Sequence, residues 1–364
     1  MILLGSTGTI GVNALEIAQR FDICLESMSA GRNIDLFNAQ IARHSPKKVA
    51  IIEPKDLKKL QPKGAKVYVG ADGILEMIEE SASSLVLNAL VGFAGLAPTL
   101  QSLKCDKTLA LANKESLVSA GWLIDTSKII PIDSEHFGLW YLKNNRPIKK
   151  LLITASGGAF RDAPPQDIPY KSAHEALQHP NWKMGKKITI DSASMVNKLF
   201  EVLEAKWLFK TDNIDGYIER TSSIHALIEF VDGSTTAHFA SPDMKLPIAY
   251  AINAKKALQT PIIANMELEK IQTIRFEPID TKKFPLWQLK DTLIKNPYLG
   301  VILNASNEIA VKKFLDAKIP FGYIVAIVEK SLEKFEFELK DLQTQEGIIA
   351  LDNEVRTFAD SVLL

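Results

Sequence analysis

The segment Met1–Gly11, MILLGSTGTIG, is the stretch of sequence that decides the fold. An apolar strand runs into a turn with glycines at positions 5, 8 and 11, and a helical pattern follows over residues 12–21. A dinucleotide site requires this order, because glycines allow a tight turn and let a pyrophosphate approach the N–H groups at the start of the helix. The spacing is GxxGxxG rather than GxGxxG, so a plain strand-to-helix turn is the alternative. The expected cofactor contacts in this turn are Thr7, Gly8, Thr9 and Ile10.

The end of the second predicted strand indicates which dinucleotide binds. Residues 23–29 form this strand, and Gly31-Arg32-Asn33 follow it. An acidic residue here would bind the ribose diol of NAD, whereas an arginine can pair with the 2′-phosphate of NADP. We therefore expect NADPH, with Gly31, Arg32 and Asn33 as contacts. The alternative is that Arg32 is only a surface residue.

Strands and helices alternate over the rest of the first 132 residues. This pattern predicts an α/β fold with a Rossmann-like, doubly wound parallel sheet, whose ligands bind outside the carboxyl ends of the strands. The further predicted strands are Val49–Ile52, Lys66–Val69, Leu85–Asn88, Thr108–Leu111 and Ile129–Ile132.

Polar residues follow the last two of these strands. Asn113-Lys114-Glu115 comes after one strand and Asp133-Ser134-Glu135-His136 after the other. Both loops are expected beside the nicotinamide end of the cofactor. Asp133 and Glu135 can both bind one divalent cation if the strand loosens there, and a helix-capping pair is the alternative.

The segment of residues 179–204, HPNWKMGKKITIDSASMVNKLFEVLE, carries most of the expected chemistry. His179–Gly185 has turn-forming residues at both ends and predicts a loop or lid. Lys187–Asp191 is short, β-branched and alternating, which predicts a strand. Asp191 or Ser192 is then expected to cap the next helix, and a hydroxyl-rich turn of this kind is suited to binding an anion.

Four polar residues of that next helix fall within one arc of about 120°. One interpretation is a solvated face with a helical ion pair between Lys198 and Glu201. The other is a site that holds a phosphate at one end and a divalent cation at the other. The polar residues are Asn197, Lys198, Glu201 and Glu204, and Leu199, Phe200, Val202, Leu203 and Trp207 cover the other side.

A second domain is expected from residue 149 to about 254, with a mostly antiparallel sheet. Its first strand ends in Ser156-Gly157-Gly158, a turn that can present N–H groups and a hydroxyl to an anion. Strands over residues 223–230 and 235–239 alternate and are joined through Asp232-Gly233, so this sheet can face another subunit.

Four parts are predicted along the chain. They are an NADPH-binding domain over residues 1–133, a catalytic α+β domain over 134–256, a linker over 257–286 and a C-terminal helical bundle over 287–364. In the last part Asn304 or Asn307 is expected to cap a helix, and apolar residues recur at helical spacing over 308–315 and 321–335.

Composition bounds the classes of function. The chain has 364 residues, 46% of them hydrophobic and 24% charged, and Lys+Arg and Asp+Glu both total 43. This balance gives no global field that favours nucleic acid or membrane. Cys24 and Cys105 are isolated, as in a reducing cytosol, and the longest apolar run, over residues 85–97, is too short to span a bilayer. We expect a cytoplasmic protein with neither nucleic acid nor membrane as a partner.

Taken together, these motifs resemble the 1-deoxy-D-xylulose 5-phosphate reductoisomerase family over essentially the full chain. The departures are Glu219-Arg220-Thr221-Ser222 in place of a His-Pro-Gln-Ser run, Leu199-Phe200 in place of Gly-Leu, and Arg32 where a lysine is frequent. The matching blocks are Gly5–Gly11 (GSTGTIG), Gly31–Asn33, Ala112–Val118 (ANKESLV), Asp133–His136 (DSEH), Ser156–Gly158, His179–Phe209, Met244 in SPDM and Leu303–Glu308 (LNASNE).

The resemblance implies a reaction and its cofactors. A sugar phosphate with a ketone and a vicinal diol would be rearranged to a branched aldehyde, which NADPH would reduce to 2-C-methyl-D-erythritol 4-phosphate, an isoprenoid precursor of the non-mevalonate pathway. Asp133, Glu135 and Glu201, with Glu204 beside them, would hold Mg²⁺ or Mn²⁺, and Co²⁺ is a further option. Whether the rearrangement is a retro-aldol and aldol pair or a 1,2-shift stays open. The resemblance also implies a homodimer.

The resemblance further implies roles for single residues. Lys114 would bind a substrate oxygen and assist proton transfer, with Asp133, Glu135 and Glu201 as the other catalytic residues. Trp182 and Met184 would close over the substrate and the nicotinamide. The other implied substrate contacts are Ser134, Ser156, His179, Ser192, Asn197 and Lys198, and the other implied cofactor contacts are Asn113, Glu115 and Gly185.

Two other classes share parts of this pattern. A semialdehyde or homoserine dehydrogenase shares the first domain but would use a cysteine nucleophile or lack the metal carboxylates. A dinucleotide-binding sensor would keep the fold without the chemistry, although buried carboxylates with no use would destabilise it.

Overall fold

Twelve strands and fourteen α-helices follow one another over residues 1–337 and 342–362, the residues that this computed structural model describes. The strands are β1 (Ile2–Leu4), β2 (Ser27–Ala30), β3 (Lys48–Ile51), β4 (Lys66–Val69), β5 (Leu85–Asn88), β6 (Thr108–Leu111), β7 (Ile129–Pro131), β8 (Ile148–Ala155), β9 (Ile214–Ile218), β10 (Ile224–Phe230), β11 (Thr235–Phe239) and β12 (Glu277–Pro278). The helices are α1 (Thr9–Arg20), α2 (Ile34–His44), α3 (Gly70–Glu80), α4 (Leu96–Lys104), α5 (Lys114–Ala120), α6 (Ser134–Leu142), α7 (Ala173–Ala176), α8 (Lys186–Ser194), α9 (Val196–Phe209), α10 (Lys245–Leu258), α11 (Lys290–Lys295), α12 (Leu299–Leu315), α13 (Gly322–Phe335) and α14 (Gln345–Ser361).

The elements fall into two units. The first unit comprises residues 1–113, 125–137 and 243–264, and the second comprises residues 114–124, 138–242 and 265–364. This division differs from the expected boundaries after residues 133, 256 and 286, which stay a prediction. Among the described residues, no helix is both long and apolar enough to cross a membrane.

The first unit is built on a parallel sheet with the strand order β4-β3-β2-β1-β5-β6-β7. The strand order reverses at β1, whose residues Ile2, Leu3 and Leu4 have no exposed surface. Strands that are apolar on both faces form such a sheet when helices cover each side. The predicted doubly wound parallel sheet is therefore confirmed.

Helix α10 completes the first unit although it follows the second sheet in sequence. Its residues Ile248 and Ala249 are fully buried in the apolar core of this unit. At its start, Lys245 Nζ lies 2.7 Å from Glu16 Oε1 on α1. A buried apolar stripe and an ion pair thus dock α10 on α1.

The second unit contains a five-stranded sheet in the order β11-β10-β8-β9-β12. The β8–β9 pair is parallel and the other three pairs are antiparallel. The predicted hairpin is present: Gly233, with φ +88°, turns the chain between β10 and β11. Strands β9 and β12 were not predicted, although the alternating burial of β9 matches its sequence.

Two local predictions are wrong. Residues 187–191 lie in helix α8, because Lys187 and Asp191 pair at 2.8 Å over four residues and Thr189 Oγ1 donates to Gly185 O at 2.9 Å. These helical contacts outweigh the β propensity of the branched side chains. Asp191 and Ser192 therefore lie inside α8, and α9 begins after Met195, which has φ +67° and no side-chain cap.

The predicted caps in the C-terminal helices are also wrong. Asn304 and Asn307 lie inside α12 and are fully buried, since the helix begins earlier at the apolar residue Leu299. Asn307 instead donates from Nδ2 to Asp191 Oδ1 at 2.8 Å and so joins α12 to α8. The predicted helical character of this part is confirmed by α11–α14, and residues 338–341 and 363–364 lie outside the described part.

Candidate active site

The glycine-rich turn of the first unit has the geometry of an anion site. Gly5 adopts φ +81°, and its N–H donates to Ser29 O at 3.1 Å. Gly11 packs so closely that an added Cβ would lie 2.3 Å from Gly5 O. Gly8 and Thr9 are exposed at the start of α1, which has no side-chain cap. The N–H groups of this first turn can therefore bind a phosphate.

The residues expected to select the dinucleotide lie at the end of β2, next to β1. Arg32 is exposed, and Asn33 Oδ1 caps α2 by accepting from Leu36 N at 3.2 Å. Ser6 and Gln40 exchange two hydrogen bonds of 2.7 and 2.9 Å, which fix α2 against the glycine turn. Arg32 is thus an exposed side chain next to a well-fixed backbone.

Asn113 has a structural role within the first unit. Its Nδ2 donates to Leu90 O at 2.9 Å and to Gly92 O at 2.8 Å. These bonds fix the loop after β5 beside the end of β6. The Asn113 side chain therefore fixes the backbone at the carboxyl ends of β5 and β6, where the cofactor was expected to bind.

The acidic residues after β7 are organised around Asp133. Its Oδ1 accepts from Glu135 N at 3.1 Å and lies 2.9 Å from Nδ1 of the buried His136. Ser134 Oγ donates to Glu135 Oε2 at 2.7 Å. Both carboxylates are only half-buried, and carboxylate oxygens are ligands that a hard cation prefers.

In the second unit the polar residues of α9 are buried around Glu201. Lys114 Nζ, at the start of α5, lies 2.9 Å from Glu201 Oε1, and both Lys198 and Asn197 also donate to this carboxylate. Lys198 is 3% exposed, and Glu201 and Glu204 are 1% exposed each. The interpretation as a solvated face is therefore wrong. Helices α5 and α9 bring together four of the predicted site residues.

His179 and Ser156 form a second cluster in this unit. The N–H groups of Asn181 and Trp182 donate to His179 Nδ1 at 3.2 and 2.9 Å, so the ring proton is on Nε2. This Nε2 donates to Ser156 Oγ at 3.0 Å, and Gly158 N donates to the same oxygen at 3.2 Å. The Ser156 hydroxyl keeps its own proton for a ligand. Burial, together with the charge of Arg161, lowers the pKa of His179 to about 4, so the ring is neutral.

Ser192 lies beside this cluster. The backbone of α8 approaches Gly158 so closely that an added Cβ there would lie 2.7 Å from Ser192 O. Gly158 has φ +65°, which favours glycine at this position. The two expected phosphate-binding serines, Ser156 and Ser192, are therefore on neighbouring segments.

The expected lid residues lie between His179 and α8. Trp182 stacks edge-on with His225 at a centroid distance of 6.0 Å. Met184 is half-buried, and Gly185 is exposed at the start of α8, where an added Cβ would meet nothing within 4 Å. This open backbone leaves room for a ligand.

Lys187 was missed by the sequence analysis. Its Nζ lies 2.8 Å from Glu115 Oε1 and 2.8 Å from Asp191 Oδ2, and the charge of Lys187 keeps the pKa of Glu115 below its usual value although burial opposes ionisation. Glu115, expected to contact the cofactor, thus holds α5 to α8 with its carboxylate. The four-residue spacing of Lys187 and Asp191 was the available sign of a helix.

Comparisons with known proteins decide the family. A family model described as 1-deoxy-D-xylulose 5-phosphate reductoisomerase matches residues 1–121, its C-terminal domain matches residues 129–209, and a DXP reductoisomerase C-terminal domain matches residues 239–358. The enzyme of this name from Wolinella succinogenes is 54% identical over 360 residues, with 99% of each chain covered. That from Helicobacter pylori is 55% identical over 359 residues, with 98% of each chain covered.

The chain belongs to the 1-deoxy-D-xylulose 5-phosphate reductoisomerase family. Solved structures of family members agree with the fold. A DOX-P reductoisomerase in complex with NADPH, fosmidomycin and magnesium has a TM-score of 0.93 at 32% identity, and covers 98% of this chain and 96% of its own. The Zymomonas mobilis enzyme in complex with NADPH has a TM-score of 0.87 at 33% identity, covering 99% and 97%. The alternative class of semialdehyde or homoserine dehydrogenases does not account for these matches.

One departure from the usual reductoisomerase sequence forms a rigid turn. Glu219 is 2% exposed, and its carboxylate accepts from the N–H groups of Thr221, Ser223 and Ile224 at 2.9, 2.9 and 3.2 Å. Ser222 in this turn has φ +55°. The residues that replace the usual run thus make an internally hydrogen-bonded connection between β9 and β10.

The second departure lies in the core of α9. Leu199 and Phe200 are fully buried, and Lys187 Nζ lies 4.8 Å from the centroid of the Phe200 ring. The larger side chains therefore fill buried space on the apolar side of α9.

Proposed function

We propose that this chain converts 1-deoxy-D-xylulose 5-phosphate to 2-C-methyl-D-erythritol 4-phosphate with NADPH as the reductant. The observation that carries the proposal is the buried cluster of Lys114, Lys198 and Glu201. Buried charges cost stability, so two lysines on one carboxylate are what a site for an anionic, oxygen-rich substrate would keep. Family membership supplies the substrate class.

The first unit fits NADPH. The glycine turn at the start of α1 has the backbone freedom and the exposed helix terminus that a pyrophosphate needs. Thr7, Gly8, Thr9 and Ile10 would hold the pyrophosphate, and Gly31, Arg32 and Asn33 the adenosine 2′-phosphate. Asn113, Glu115, Met184 and Gly185 would border the nicotinamide. When bound, NADPH supplies the hydride.

The carboxylates fit Mg²⁺ or Mn²⁺, with Co²⁺ as a further option. Asp133, Glu135 and Glu201 offer hard oxygen ligands, and Glu204 lies one turn further along α9. When bound, the cation supplies Lewis-acid polarisation of the ketone and hydroxyl oxygens. The hydrogen bond between Asp133 and His136 would keep one ligand oriented.

Lys114 is proposed to act at the reacting carbons. Lys114 is 5% exposed, and its ammonium group donates to Glu201 at 2.9 Å. A ligand oxygen that replaces this contact would accept a charge-assisted hydrogen bond from Nζ, and the same group can move a proton to that oxygen. Ser134, at the start of α6, would bind the substrate from the segment that carries Asp133 and Glu135.

The phosphate end is proposed to lie against the α8–α9 region. Lys198 would supply the positive charge, and Asn197, Ser192 and Ser156 would donate hydrogen bonds. His179 is neutral, so it would contribute by orienting the Ser156 hydroxyl rather than by charge. Binding energy at the phosphate would position the reacting carbons.

The segment of residues 179–185 is proposed to be the lid. Trp182 and Met184 would cover the substrate and the nicotinamide and exclude water before hydride transfer. The catalytic domain would then comprise residues 134–256, between the NADPH-binding domain of 1–133 and the linker of 257–286, with the helical domain of 287–364 bracing it.

We further propose that the protein is a cytoplasmic homodimer. Strand β11 is an edge strand of the second sheet, and Phe239 on it is 43% exposed, which suits pairing with a second copy. Light scattering at several concentrations tests the proposal, and a monomer at all of them contradicts it.

One assay tests the enzymatic proposal. Purified protein is mixed with 1-deoxy-D-xylulose 5-phosphate, Mg²⁺ and NADPH, and the loss of NADPH absorbance is followed with and without EDTA. We expect NADPH loss that requires both the sugar phosphate and the metal. A protein that binds NADPH but consumes none under either condition would instead be a sensor.

A further inference from the structure

Two segments that are distant in sequence meet at the carboxyl end of β8. Strand β8 ends at Ala155, which pairs with Ile218 at the end of β9. Ser156 follows β8 directly, and the turn of residues 219–223 follows β9 directly. Because β8 lies between β9 and β10 in the sheet, this turn must cross over the end of β8. The departure from the family sequence therefore lies beside a proposed phosphate ligand.

Asn181 connects this turn to the loop that carries His179. Its Nδ2 donates to Arg220 O at 2.8 Å and to Ser222 Oγ at 2.7 Å. Its backbone N–H donates to His179 Nδ1 at 3.2 Å. One residue thus holds the turn with its side chain and the histidine ring with its backbone.

The turn is rigid enough to serve as an anchor. Thr221 donates to Glu219 Oε1 from both N and Oγ1, at 2.9 and 2.7 Å, and the amides of Ser223 and Ile224 donate to Oε2. The turn is also fixed from outside, because Glu219 N donates to Ala155 O at 2.8 Å. A carboxylate with four donors holds its surrounding backbone in one conformation.

We propose that Asn181, anchored on the Glu219 turn, is a positioning residue for phosphate recognition. Its side chain fixes the loop whose N–H groups, from Asn181 and Trp182, keep the His179 ring in the tautomer that carries the proton on Nε2. His179 in turn keeps Ser156 Oγ accepting, so that the serine proton points to the ligand. No residue of this path supplies the positive charge that would bind the phosphate, and none touches the reacting carbons. This inference rests on the proposed function for the identity of the ligand, but the hydrogen-bond path does not.

The key variants distinguish the effect of the Asn181 hydrogen-bond donor from the effect of the volume of its side chain. Asn181→Asp keeps the shape but presents an acceptor to Arg220 O, and Asn181→Ala removes the side chain. Glu219→Gln turns an NH₂ group toward donors of the turn. Asp232→Asn is the matched control, since Asp232 Oδ1 accepts from Ser234 N and Oγ in the turn at the other end of β10.

Kinetics give the first readout. Loss of the two Asn181 hydrogen bonds should raise KM for the sugar phosphate about tenfold and leave KM for NADPH within about twofold. Glu219→Gln should act in the same direction, and Asp232→Asn should leave both constants unchanged. Equal changes in both KM values, or a change in thermal stability alone, would overturn the proposal and indicate that Asn181 has only a structural role.

The second readout does not depend on activity. Ring nitrogen chemical shifts of the histidines, assigned with His179→Gln, report the tautomer and pKa of His179 in the protein without substrate. We expect a neutral ring with the proton on Nε2 in the parent protein and in Asp232→Asn, and a mixture of tautomers in the Asn181 variants. An unchanged tautomer in Asn181→Ala would refute the proposed path. If the parent protein did not turn over the sugar phosphate, the proposed function would fail while this measurement still decided the role of Asn181.

Discussion

Replacing Lys187 with methionine should strongly destabilise the second unit. Lys187 Nζ lies 2.8 Å from both Glu115 and Asp191, whose side chains are 8% and 2% exposed. Each contact is worth roughly 6 kcal/mol at an effective dielectric of 20, much of it offset by desolvation. Removal of one partner leaves buried carboxylates without their cation, which costs about 3–5 kcal/mol.

Denaturant unfolding of the parent protein, Lys187→Met and a matched control measures this cost. The control is Lys312→Met, because Lys312 and Asp316 have the same four-residue spacing on a helix but are 68% and 45% exposed. The control should lose about 0.3–0.5 kcal/mol. If both variants lost equally little, the pairs of Lys187 would be energetically unimportant and the reasoning would be refuted.

The loss of unfolding free energy in Lys187→Met should also depend on pH. In the parent protein burial opposes ionisation of Glu115, but Lys187 keeps its pKa below the usual value, so this group stabilises the fold above the unfolded pKa and the contribution is lost on acidification. Without the lysine, burial raises the pKa of the same carboxyl above its unfolded value. As the pH falls, the native variant then binds protons at a higher pH than its unfolded chain does. The difference in unfolding free energy between the variant and the parent protein should therefore shrink on acidification. A deficit independent of pH would assign the loss to packing.

Three further predictions concern the cofactors and the first unit. Glu201→Gln should lower turnover at limiting Mg²⁺ roughly hundredfold, measured by NADPH loss; full turnover would make Glu204 the better ligand candidate. Arg32→Ala should raise KM for NADPH about 10- to 100-fold but not KM for NADH, and equal losses would exclude a 2′-phosphate contact. Burial opposes ionisation of Glu26, but hydrogen bonds from Ser83 and neighbouring donors lower its pKa to about 2. Glu26→Gln should therefore cost about 2–3 kcal/mol near neutral pH, and in the parent protein this stability is lost as the pH falls from the unfolded pKa towards 2; a deficit that persisted at acidic pH would contradict the assignment.

The first unit was predictable from sequence because its signals are local. Most strands of its sheet are short, largely apolar runs bounded by turn residues, and β4, β5 and β6 have the predicted bounds. The glycine turn follows from Gly5, whose positive φ favours glycine, and from Gly11, whose small size the packing requires. The start of α1 was placed three residues late because an uncapped helix start leaves no side-chain sign in the sequence.

The second unit was harder because its local signals conflict with its packing. The alternation in residues 187–191 predicts a strand, whereas the contacts of the helix with Glu115 and Asn307 add to its own pair of Lys187 and Asp191. Similarly, the helical spacing of Lys198 and Glu201 fits a surface ion pair equally well, and only burial distinguishes a site from a solvated face. Partners that are 72 and 116 residues away in sequence cannot be read from periodicity.

The buried charges of the second unit divide into two groups with different consequences. Around Lys187, a cation lies between two carboxylates, and Asn307 satisfies one of them further, so this group joins α5, α8 and α12. Around Glu201, two lysines and an amide donate to one carboxylate, and a ligand oxygen can replace Glu201 as the acceptor of a lysine proton without leaving that lysine unpaired. Removal of any member of the first group should destabilise the fold, whereas the lysines of the second group can exchange one hydrogen-bond acceptor for another. Substitutions around Lys187 should therefore appear mainly in unfolding experiments, and those around Glu201 mainly in turnover.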